Sequence, residues 1–172
     1  MSQPSYQKAS MGASTKRGPM QQLKLFTAAT LPRKPYCTDD LSLGLQIRTL
    51  EHALRRRYVQ PNEPVRRHWL VYDVDREGAS EAWDGVAAEP NLTVINPANG
   101  HGHLLYALDV PVYLKGKASV KAIRYAAAVD AAYTDLLDAD RGYVGLICKN
   151  PLHGQWRVLQ GPDWAYALGY LA

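Results

Sequence analysis

The chain has 172 residues, 47% of them hydrophobic and 21% charged, which suits one globular domain with its own core. It has no apolar run of membrane-spanning length and no signal-peptide core, so we expect a cytoplasmic protein without a membrane partner. Cys37 and Cys148 lie far apart, which argues against a disulfide scaffold and a cysteine zinc site. The net charge of +4 weakly indicates a polyanionic partner such as nucleic acid.

Predicted elements begin only after a polar N-terminal segment. Residues 1–30 lack periodicity, and we expect them to be largely disordered. Leu43, Ile47 and later apolar residues fall at helical spacing, which predicts a helix over about residues 39–58 with Thr38 as its N-cap. Five arginines near the end of this helix and in the next loop are candidate phosphate contacts, although solvated surface side chains would give the same pattern. They are Arg55, Arg56, Arg57, Arg66 and Arg67.

The rest of the chain mixes strands and helices, with the strands between residues 67 and 160. Strands are predicted in HWLVYDVD, LTVIN, HGHLLYALDVPV and GQWRVLQ, and after a turn in DRGYVGLICKN. Helices are predicted in GASEAWDGVA, over residues 118–138 and in DWAYALGYLA. This mixture predicts an α+β or α/β single domain with a central sheet.

The first motif with chemical content is the aspartate pair in HWLVYDVDR. Because side chains alternate along a strand, Asp73 and Asp75 share one face and lie about 7 Å apart. Neighbouring carboxylates repel each other and are costly to desolvate, and a hard cation such as Mg²⁺ or Mn²⁺ removes both penalties. The pair could instead end an exposed strand beside Arg76. Glycosyltransferases also hold a metal-bound sugar diphosphate with a D-x-D, so the motif alone does not identify a substrate.

Two further motifs add candidate ligands. In NPANGHGHLLYAL, His101 and His103 share a strand face, where an imidazole could hydrogen-bond a triphosphate. In DLLDADRGYVGLICKN, Asp138 and Asp140 come before the predicted strand and could add a third carboxylate, while Lys149 could contact phosphate. An edge-strand histidine pair and ordinary turn aspartates would explain the same residues without any chemistry.

Together, the D-x-D strand, the G-x-H strand and the later aspartates resemble the archaeo-eukaryotic primase superfamily. Within it, the sequence is most similar to the replicase family of plasmid replication initiators of the colicin-plasmid type. The resemblance rests on YDVDR, NPANGHGHLLYAL and DADRGYVGLICKNPLHGQW, over roughly residues 65–160. It implies an α+β fold, namely an RNA-recognition-like primase-polymerase core with a central, mostly antiparallel sheet flanked by helices.

The same resemblance implies a domain organisation and an activity. Residues 36–172 would be the catalytic domain, preceded by a disordered or extended segment at 1–35, and an origin-binding region would lie beyond this chain. The implied activity is synthesis of a short primer on single-stranded DNA from nucleoside triphosphates, which a host DNA polymerase extends.

The resemblance also implies residue roles. Asp73 and Asp75 would be the first metal-binding motif, and Asp140 would be the third carboxylate that holds Mg²⁺ or Mn²⁺. Asp138 and Asp130 are the alternatives for that third position.

His103 would contact the phosphates of the incoming nucleotide, with His101 and Lys149 beside it. Among the aromatic residues, Trp69, Trp156 and Tyr143 either stack on a base or pack in the core.

Two other functions compete with primer synthesis. A rolling-circle nuclease would use His101 and His103 with a tyrosine nucleophile, Tyr125 or Tyr133, although the glycine between the histidines departs from the usual bulky hydrophobe. Such an enzyme forms a covalent adduct with DNA, which a primase does not. A non-catalytic nucleic-acid-binding module would explain the positive charge alone, but it would normally carry aromatic residues on its sheet rather than paired carboxylates.

Overall fold

The computed structural model describes residues 23–172, with two antiparallel sheets and one hydrophobic cluster on each face of the larger sheet. In chain order, the elements are β1 (Tyr36–Thr38), β2 (Gln46–Ile47), α1 (Leu50–Ala53), β3 (Tyr58–Val59), β4 (Arg66–Val74), β5 (Leu92–Ile95), β6 (Gly102–Tyr113), α2 (Val120–Leu136), β7 (Cys148–Lys149) and β8 (Arg157–Gln160). The small sheet has the order β2-β1-β3-β7, and the large sheet has the order β4-β6-β5-β8. The predicted α+β class with antiparallel pairing is confirmed, but the strands form two sheets rather than one.

The longest strand pair joins β4 to β6, which carry the D-x-D pair and the HGH motif at their ends. Both strands are rich in β-branched, aromatic and leucine side chains, which pack well on a pleated surface. Antiparallel register places Asp73 directly opposite His103, and Val74 opposite Gly102. Since opposed residues of such a pair have neighbouring side chains, Asp73 and His103 face the same side of the large sheet.

The outer face of the large sheet packs against α2. Tyr72 stacks on Tyr133, with ring centroids 5.7 Å apart. Along α2, Ala126 and Val129 are buried with Tyr133 at helical spacing, so one stripe of the helix covers the sheet. The Ser119 side chain accepts a hydrogen bond from a backbone N–H of the first turn, which caps the helix.

The inner face of the large sheet packs against the small sheet. Val71 and Leu105 contact a cluster that contains Val59 and both cysteines, Cys37 and Cys148. The two thiols are buried and unpaired, and burial raises the pKa of Cys148 to about 12, so this thiol stays protonated near neutral pH. Asp73 and His103 lie two residues along their strands from Val71 and Leu105, and therefore at the border of this core.

The helix predicted over residues 39–58 is wrong. The structure has a 3-10 turn at Leu41–Leu43, two short strands and only the single helical turn of α1. Gly44 has φ 82, a conformation that ends the turn. Ile47 is 54% exposed and Leu43 is 84% exposed, so their helical spacing reflects no buried face. Thr38 ends β1 instead of capping a helix.

Three other elements are shorter in the structure than predicted. The two helices predicted in GASEAWDGVA and DWAYALGYLA are reduced to the 3-10 turns Ala79–Glu81 and Leu168–Tyr170. The strand predicted in GYVGLICKN is only β7, because Gly145 adopts φ 67 in the turn before it. The other four predicted strands and the helix predicted over residues 118–138 are present, with ends that differ by a few residues.

The segment before β1 differs from the expected disorder where the structure describes it. Leu23, Phe26 and Leu31 are buried in the core between the sheets, and the Phe26 ring lies 5.5 Å from that of Trp69. Residues 1–22 of the predicted disordered segment lie outside the described residues. Within residues 23–172, no helix has the length and apolar character needed to cross a membrane.

Candidate active site

A carboxylate, an imidazole and an ammonium group meet at the inner face of the large sheet. Asp73 Oδ1 lies 3.1 Å from His103 Nε2 across the β4–β6 pair. Lys149 Nζ, which β7 brings from the small sheet, lies 3.8 Å from the same oxygen. All three side chains are largely buried, with exposed fractions of 16% for Asp73, 5% for His103 and 9% for Lys149.

The main chain of β7 orients the His103 ring. The backbone N–H of Lys149 donates a hydrogen bond of 2.9 Å to His103 Nδ1. In the neutral ring the hydrogen therefore resides on Nε2, which faces Asp73. Burial lowers the pKa of His103 below its ordinary value, and the contact with Asp73 only partly opposes this effect. His103 is accordingly a neutral imidazole near pH 7, with its Nε2 3.1 Å from the carboxylate oxygen of Asp73.

The charges of Asp73 and Lys149 depend on each other. Burial alone raises the pKa of Asp73, but the His103 contact and the positive charge of Lys149 outweigh it, so the pKa is lowered overall. Burial lowers the pKa of Lys149, and Asp73 and Asp75 oppose that effect. The protein therefore keeps Asp73 ionised by placing His103 and the Lys149 ammonium next to its carboxylate.

Asp75 is the more accessible member of the aspartate pair. Its side chain is 59% exposed, and its Oδ1 lies 3.3 Å from His101 Nδ1. Each aspartate thus faces one histidine of the HGH motif, Asp75 with His101 and Asp73 with His103. One carboxylate is buried beside Lys149, and the other faces solvent.

Of the three candidates for a third carboxylate, Asp140 lies beside Asp73. Its backbone N–H donates a hydrogen bond of 2.8 Å to the Asp73 carbonyl oxygen, which fixes it to the free edge of β4. Its own Oδ1 accepts a 2.8 Å hydrogen bond from the Gly142 N–H. Asp130 instead pairs with Arg67 at 3.2 Å, so its charge is already compensated.

Asp138, the remaining alternative, lies in the turn after α2. Its φ of 48 marks a left-handed turn residue, and its exposed carboxylate lies 3.8 Å from Arg76 Nε. The predicted triad is not assembled as one cluster. In the described part of the chain, no three histidine, cysteine, aspartate or glutamate side chains converge closely enough to hold a metal ion.

The aspartate pair nevertheless fits a cation that is bound together with substrate. Asp73 Oδ1 is buried and has no hydrogen-bond partner of good geometry among the described residues, so one anionic oxygen is not fully satisfied. Mg²⁺ is usually held by one or two carboxylates plus substrate phosphates rather than by a complete protein cage. Asp73 and Asp75 supply that number of carboxylates.

Comparison with known proteins decides the family. The model of the Replicase family matches residues 30–172, which is most of the chain. The chain belongs to the Replicase family. The resemblance to the replicase family that the motifs indicated is thereby confirmed.

A solved structure shares the fold of this replicase domain. It is the AEP domain of the primase-polymerase of cyanophage S-2L, which aligns with a TM-score of 0.53 over 86% of this chain and 90% of that chain. The sequences are 10% identical, so the match concerns the fold alone. A search of curated proteins gave no match.

A cavity of about 510 Å³ opens beside Asp140 in the replicase. Tyr143 lines it, and its ring lies 5.2 Å from that of His103, so the cavity adjoins the carboxylate site. Trp69 also lines it but is fully buried, and the buried Trp156 donates its Nε1–H to a backbone carbonyl. Base stacking is therefore wrong for the two tryptophans, whereas Tyr143 remains a candidate.

The predicted arginine contacts differ in their availability. Arg55, Arg56 and Arg66 pair with Glu51, Asp39 and Glu63, and Arg67 pairs with Asp130.

Among the three consecutive arginines at positions 55–57, Arg57 has no ion pair within residues 23–172. Its backbone is fixed to the site, because its carbonyl oxygen accepts hydrogen bonds from the Asn150 N–H and from Trp156 Nε1. Asn150 is a buried residue whose role sequence analysis missed. Its side-chain amide donates hydrogen bonds to the carbonyl oxygens of Leu54 and Arg56. These bonds attach the backbone of the three consecutive arginines to the end of β7.

The geometry does not support a rolling-circle nuclease. Tyr133 is buried on the outer face of the large sheet, whereas His103 lies on the inner face. Tyr125 is exposed on the same helix, α2, which packs on that outer face. The sheet itself therefore separates both candidate nucleophiles from the histidines.

Proposed function

We propose that this replicase domain is a plasmid replication primase. It would synthesise a short primer on single-stranded DNA by metal-dependent nucleotidyl transfer from nucleoside triphosphates, and a host DNA polymerase would extend the product. The observation that carries the proposal is the contact of Asp73 with both His103 and Lys149 beside the exposed Asp75. This site offers carboxylates to a cation and donors to a triphosphate within one small region.

Asp73 and Asp75 would hold Mg²⁺ or Mn²⁺, and Asp140 would join them as the third carboxylate. When bound, the cation lowers the pKa of the attacking 3′-hydroxyl and neutralises charge on the phosphates. The backbone bond between Asp140 and Asp73 supports this choice over Asp138 and Asp130. A rotation of the Asp140 side chain, which now accepts from Gly142, would turn its carboxylate toward the pair.

The triphosphate would be bound by His103, Lys149 and His101. Since the Lys149 N–H occupies Nδ1, His103 has only its Nε2–H to offer to a phosphate oxygen. The Lys149 ammonium adds up to three donors at the same position. His101 lies closer to solvent beside Asp75, where it can contact the outer phosphates.

The cavity beside Asp140 has a suitable size for the nucleoside portion of the substrate, because ligand pockets commonly range from about 300 to 1,000 Å³. Tyr143 would stack on the base. Its hydroxyl donates a 2.6 Å hydrogen bond to the Ile147 carbonyl oxygen, which holds the ring in place.

Removal of the Tyr143 ring is expected to weaken nucleotide binding. Because stacking of a base on an aromatic ring contributes about 1–3 kcal/mol, Tyr143→Ala should raise the KM for nucleotide about fivefold or more. Tyr143→Phe, which retains the ring, should stay within about threefold of wild type. Steady-state kinetics of primer synthesis measures both values, and equal KM values for Tyr143→Ala and wild type would exclude stacking.

Arg57 would hold the template strand through its phosphates, and the ion-paired Arg55, Arg56, Arg66 and Arg67 would exchange their carboxylate partners for phosphate. Such exchange is easiest for Arg55 and Arg56, because their ion pairs are exposed and exposed ion pairs contribute little stability. All of these arginines lie along the chain from the end of α1 to the start of β4.

Loss of the Arg57 charge should reduce the salt dependence of single-stranded DNA binding. One phosphate contact fewer lowers the slope of log K against log salt by about 0.7. We therefore expect Arg57→Ala to bind a single-stranded oligonucleotide several-fold more weakly at low salt, as measured by fluorescence anisotropy. Arg124→Ala, on the exposed side of α2, is the matched control. An unchanged slope in Arg57→Ala would remove Arg57 from the interface.

The experiment that tests the proposed function uses primer-free single-stranded template, nucleoside triphosphates and Mg²⁺ or Mn²⁺. We expect labelled nucleotide to enter short products, and we expect EDTA to abolish the reaction. Denaturing electrophoresis of the same mixtures detects any covalent protein–DNA adduct. An adduct without primer products would favour the nuclease, and template binding without either would favour a non-catalytic module.

A further inference from the structure

We infer that Lys149 is the resident counter-ion of Asp73, and that it makes divalent-cation binding depend on nucleotide binding. The inference rests on the proposed function, and it goes beyond a simple phosphate contact. Before substrate arrives, the ammonium group would neutralise the carboxylate. After substrate arrives, it would transfer to the triphosphate and leave the carboxylate to the cation.

The ion pair of Lys149 and Asp73 is built into the interior rather than onto the surface. Both side chains are at least four-fifths buried, and the nitrogen–oxygen distance is 3.8 Å. Among the described carboxylates, only that of Asp73 lies within ion-pair distance of the Lys149 ammonium. A buried ammonium group without a partner is strongly unfavourable, so each group stabilises the charge of the other.

The backbone beneath Lys149 is fixed, so only its side chain can move. Lys149 lies opposite Tyr58 in the small sheet, and its N–H is bonded to His103 Nδ1. The next residue, Asn150, is fully buried and makes hydrogen bonds through its N–H and both side-chain groups. The lysine has a flexible stem of four carbons, and rotation about it would move the ammonium away from Asp73.

A dication bound by Asp73 Oδ1 would lie within about 6 Å of the Lys149 ammonium in its present position, because the nitrogen–oxygen distance is 3.8 Å and a Mg²⁺–oxygen bond is about 2 Å long. Repulsion between such like charges is strong inside a protein. Asp73 can therefore bind the dication well only when the Lys149 ammonium has moved. A triphosphate supplies the anionic oxygens that would accept it. Cation and nucleotide would then bind cooperatively. The two neighbouring carboxylates agree with this, because they do not form a complete cage for a cation without ligands from the substrate.

Mn²⁺ titration separates this role from a structural one. The free Mn²⁺ is measured by electron paramagnetic resonance, with and without a non-hydrolysable nucleoside triphosphate. Wild type should bind Mn²⁺ at least about tenfold more tightly when the nucleotide is present. Lys149→Met should bind Mn²⁺ without nucleotide at least about tenfold more tightly than wild type, because the competing charge is gone. The nucleotide should then add much less.

Controls identify the cause of each outcome. Lys115→Met removes an exposed lysine from the turn after β6 and should behave like wild type. Lys149→Gln also removes the charge but keeps a polar end, so it should repeat the tighter Mn²⁺ binding of Lys149→Met if the lost charge, and not altered packing, is the cause. Thermal unfolding reports whether each variant is folded. Equal or weaker Mn²⁺ binding by both folded Lys149 variants without nucleotide would overturn the counter-ion role. If instead wild type bound no Mn²⁺ even with nucleotide, the proposed function itself would fail.

Discussion

Replacing Asp73 and Asp75 together by asparagine is expected to reduce primer synthesis at least about a thousandfold. Asparagine keeps the shape of each side chain but removes the negative charge that would hold the cation. A loss of this size corresponds to about 4 kcal/mol of transition-state stabilisation, which is within the range for a metal that neutralises phosphate charge. The initial rate of nucleotide incorporation on single-stranded template measures the effect.

A matched control separates the site from the overall charge. Asp84→Asn with Asp109→Asn removes the same charge from two exposed aspartates, one in the segment before β5 and one six residues along β6 from His103, and should retain full activity. Asp73→Asn also leaves the Lys149 ammonium without its carboxylate, so thermal unfolding should accompany each assay. If a folded Asp73→Asn, Asp75→Asn variant incorporated nucleotide at the wild-type rate, the metal-site proposal would be wrong.

The second large effect is expected at His103. His103→Ala removes the acceptor of the Lys149 N–H and the N–H that faces Asp73. A buried donor left without a partner costs about 1–3 kcal/mol, and the vacated volume adds to that loss of stability. We therefore expect a clear decrease in the free energy of unfolding, measured by urea denaturation, together with loss of primer synthesis.

Two replacements, each of which can place a polar atom at the position of one ring nitrogen, separate the structural and chemical roles of His103. The oxygen of asparagine can occupy the position of Nδ1, so His103→Asn should retain more stability than His103→Ala. Neither variant has a donor at the Nε2 position, so both should lose at least about a hundredfold in primer synthesis. His103→Gln can return a donor to that position and should recover part of the activity. Full activity in a folded His103→Asn variant would exclude a role for Nε2–H.

The pH dependence of stability follows from the same histidine. The lowered pKa of His103 means that, at mildly acidic pH, the unfolded chain binds a proton that the folded protein does not. Stability is therefore lost as the pH falls from the ordinary histidine pKa toward the folded value. Asp73 contributes in the same direction at lower pH, since its pKa is also lowered and its charged form belongs to the folded state.

Strand periodicity was sufficient to predict which residues of each motif share a face. Side chains alternate with a period of two, so YDVD and HGH each fix which residues share a face once they lie in strands. The structure agrees, because Asp75 contacts His101 on the same side on which Asp73 contacts His103, while the pairing of β4 with β6 that joins the two motifs was not predicted. No such rule applies to the third carboxylate. Asp140 reaches Asp73 through one backbone hydrogen bond between distant segments, which no local pattern encodes.

Long-range contacts also explain what the sequence could not predict about the arginines. Arg67 and Asp130 are brought together only by the packing of β4 and α2. The predicted helix over residues 39–58 failed for a related reason. Short strands such as β1 and β3 are stabilised by partners far along the chain, including β7, and this pairing overrides local helical spacing.

Anomalous diffraction from a crystal with Mn²⁺ and a non-hydrolysable nucleoside triphosphate tests the central claim most directly. We predict a Mn²⁺ peak bound by the carboxylates of Asp73 and Asp75 and by triphosphate oxygens, with Asp140 nearby and the Lys149 ammonium on a phosphate. A nucleotide bound elsewhere, or a Mn²⁺ peak that touches neither Asp73 nor Asp75, would contradict the assignment of this site to nucleotidyl transfer.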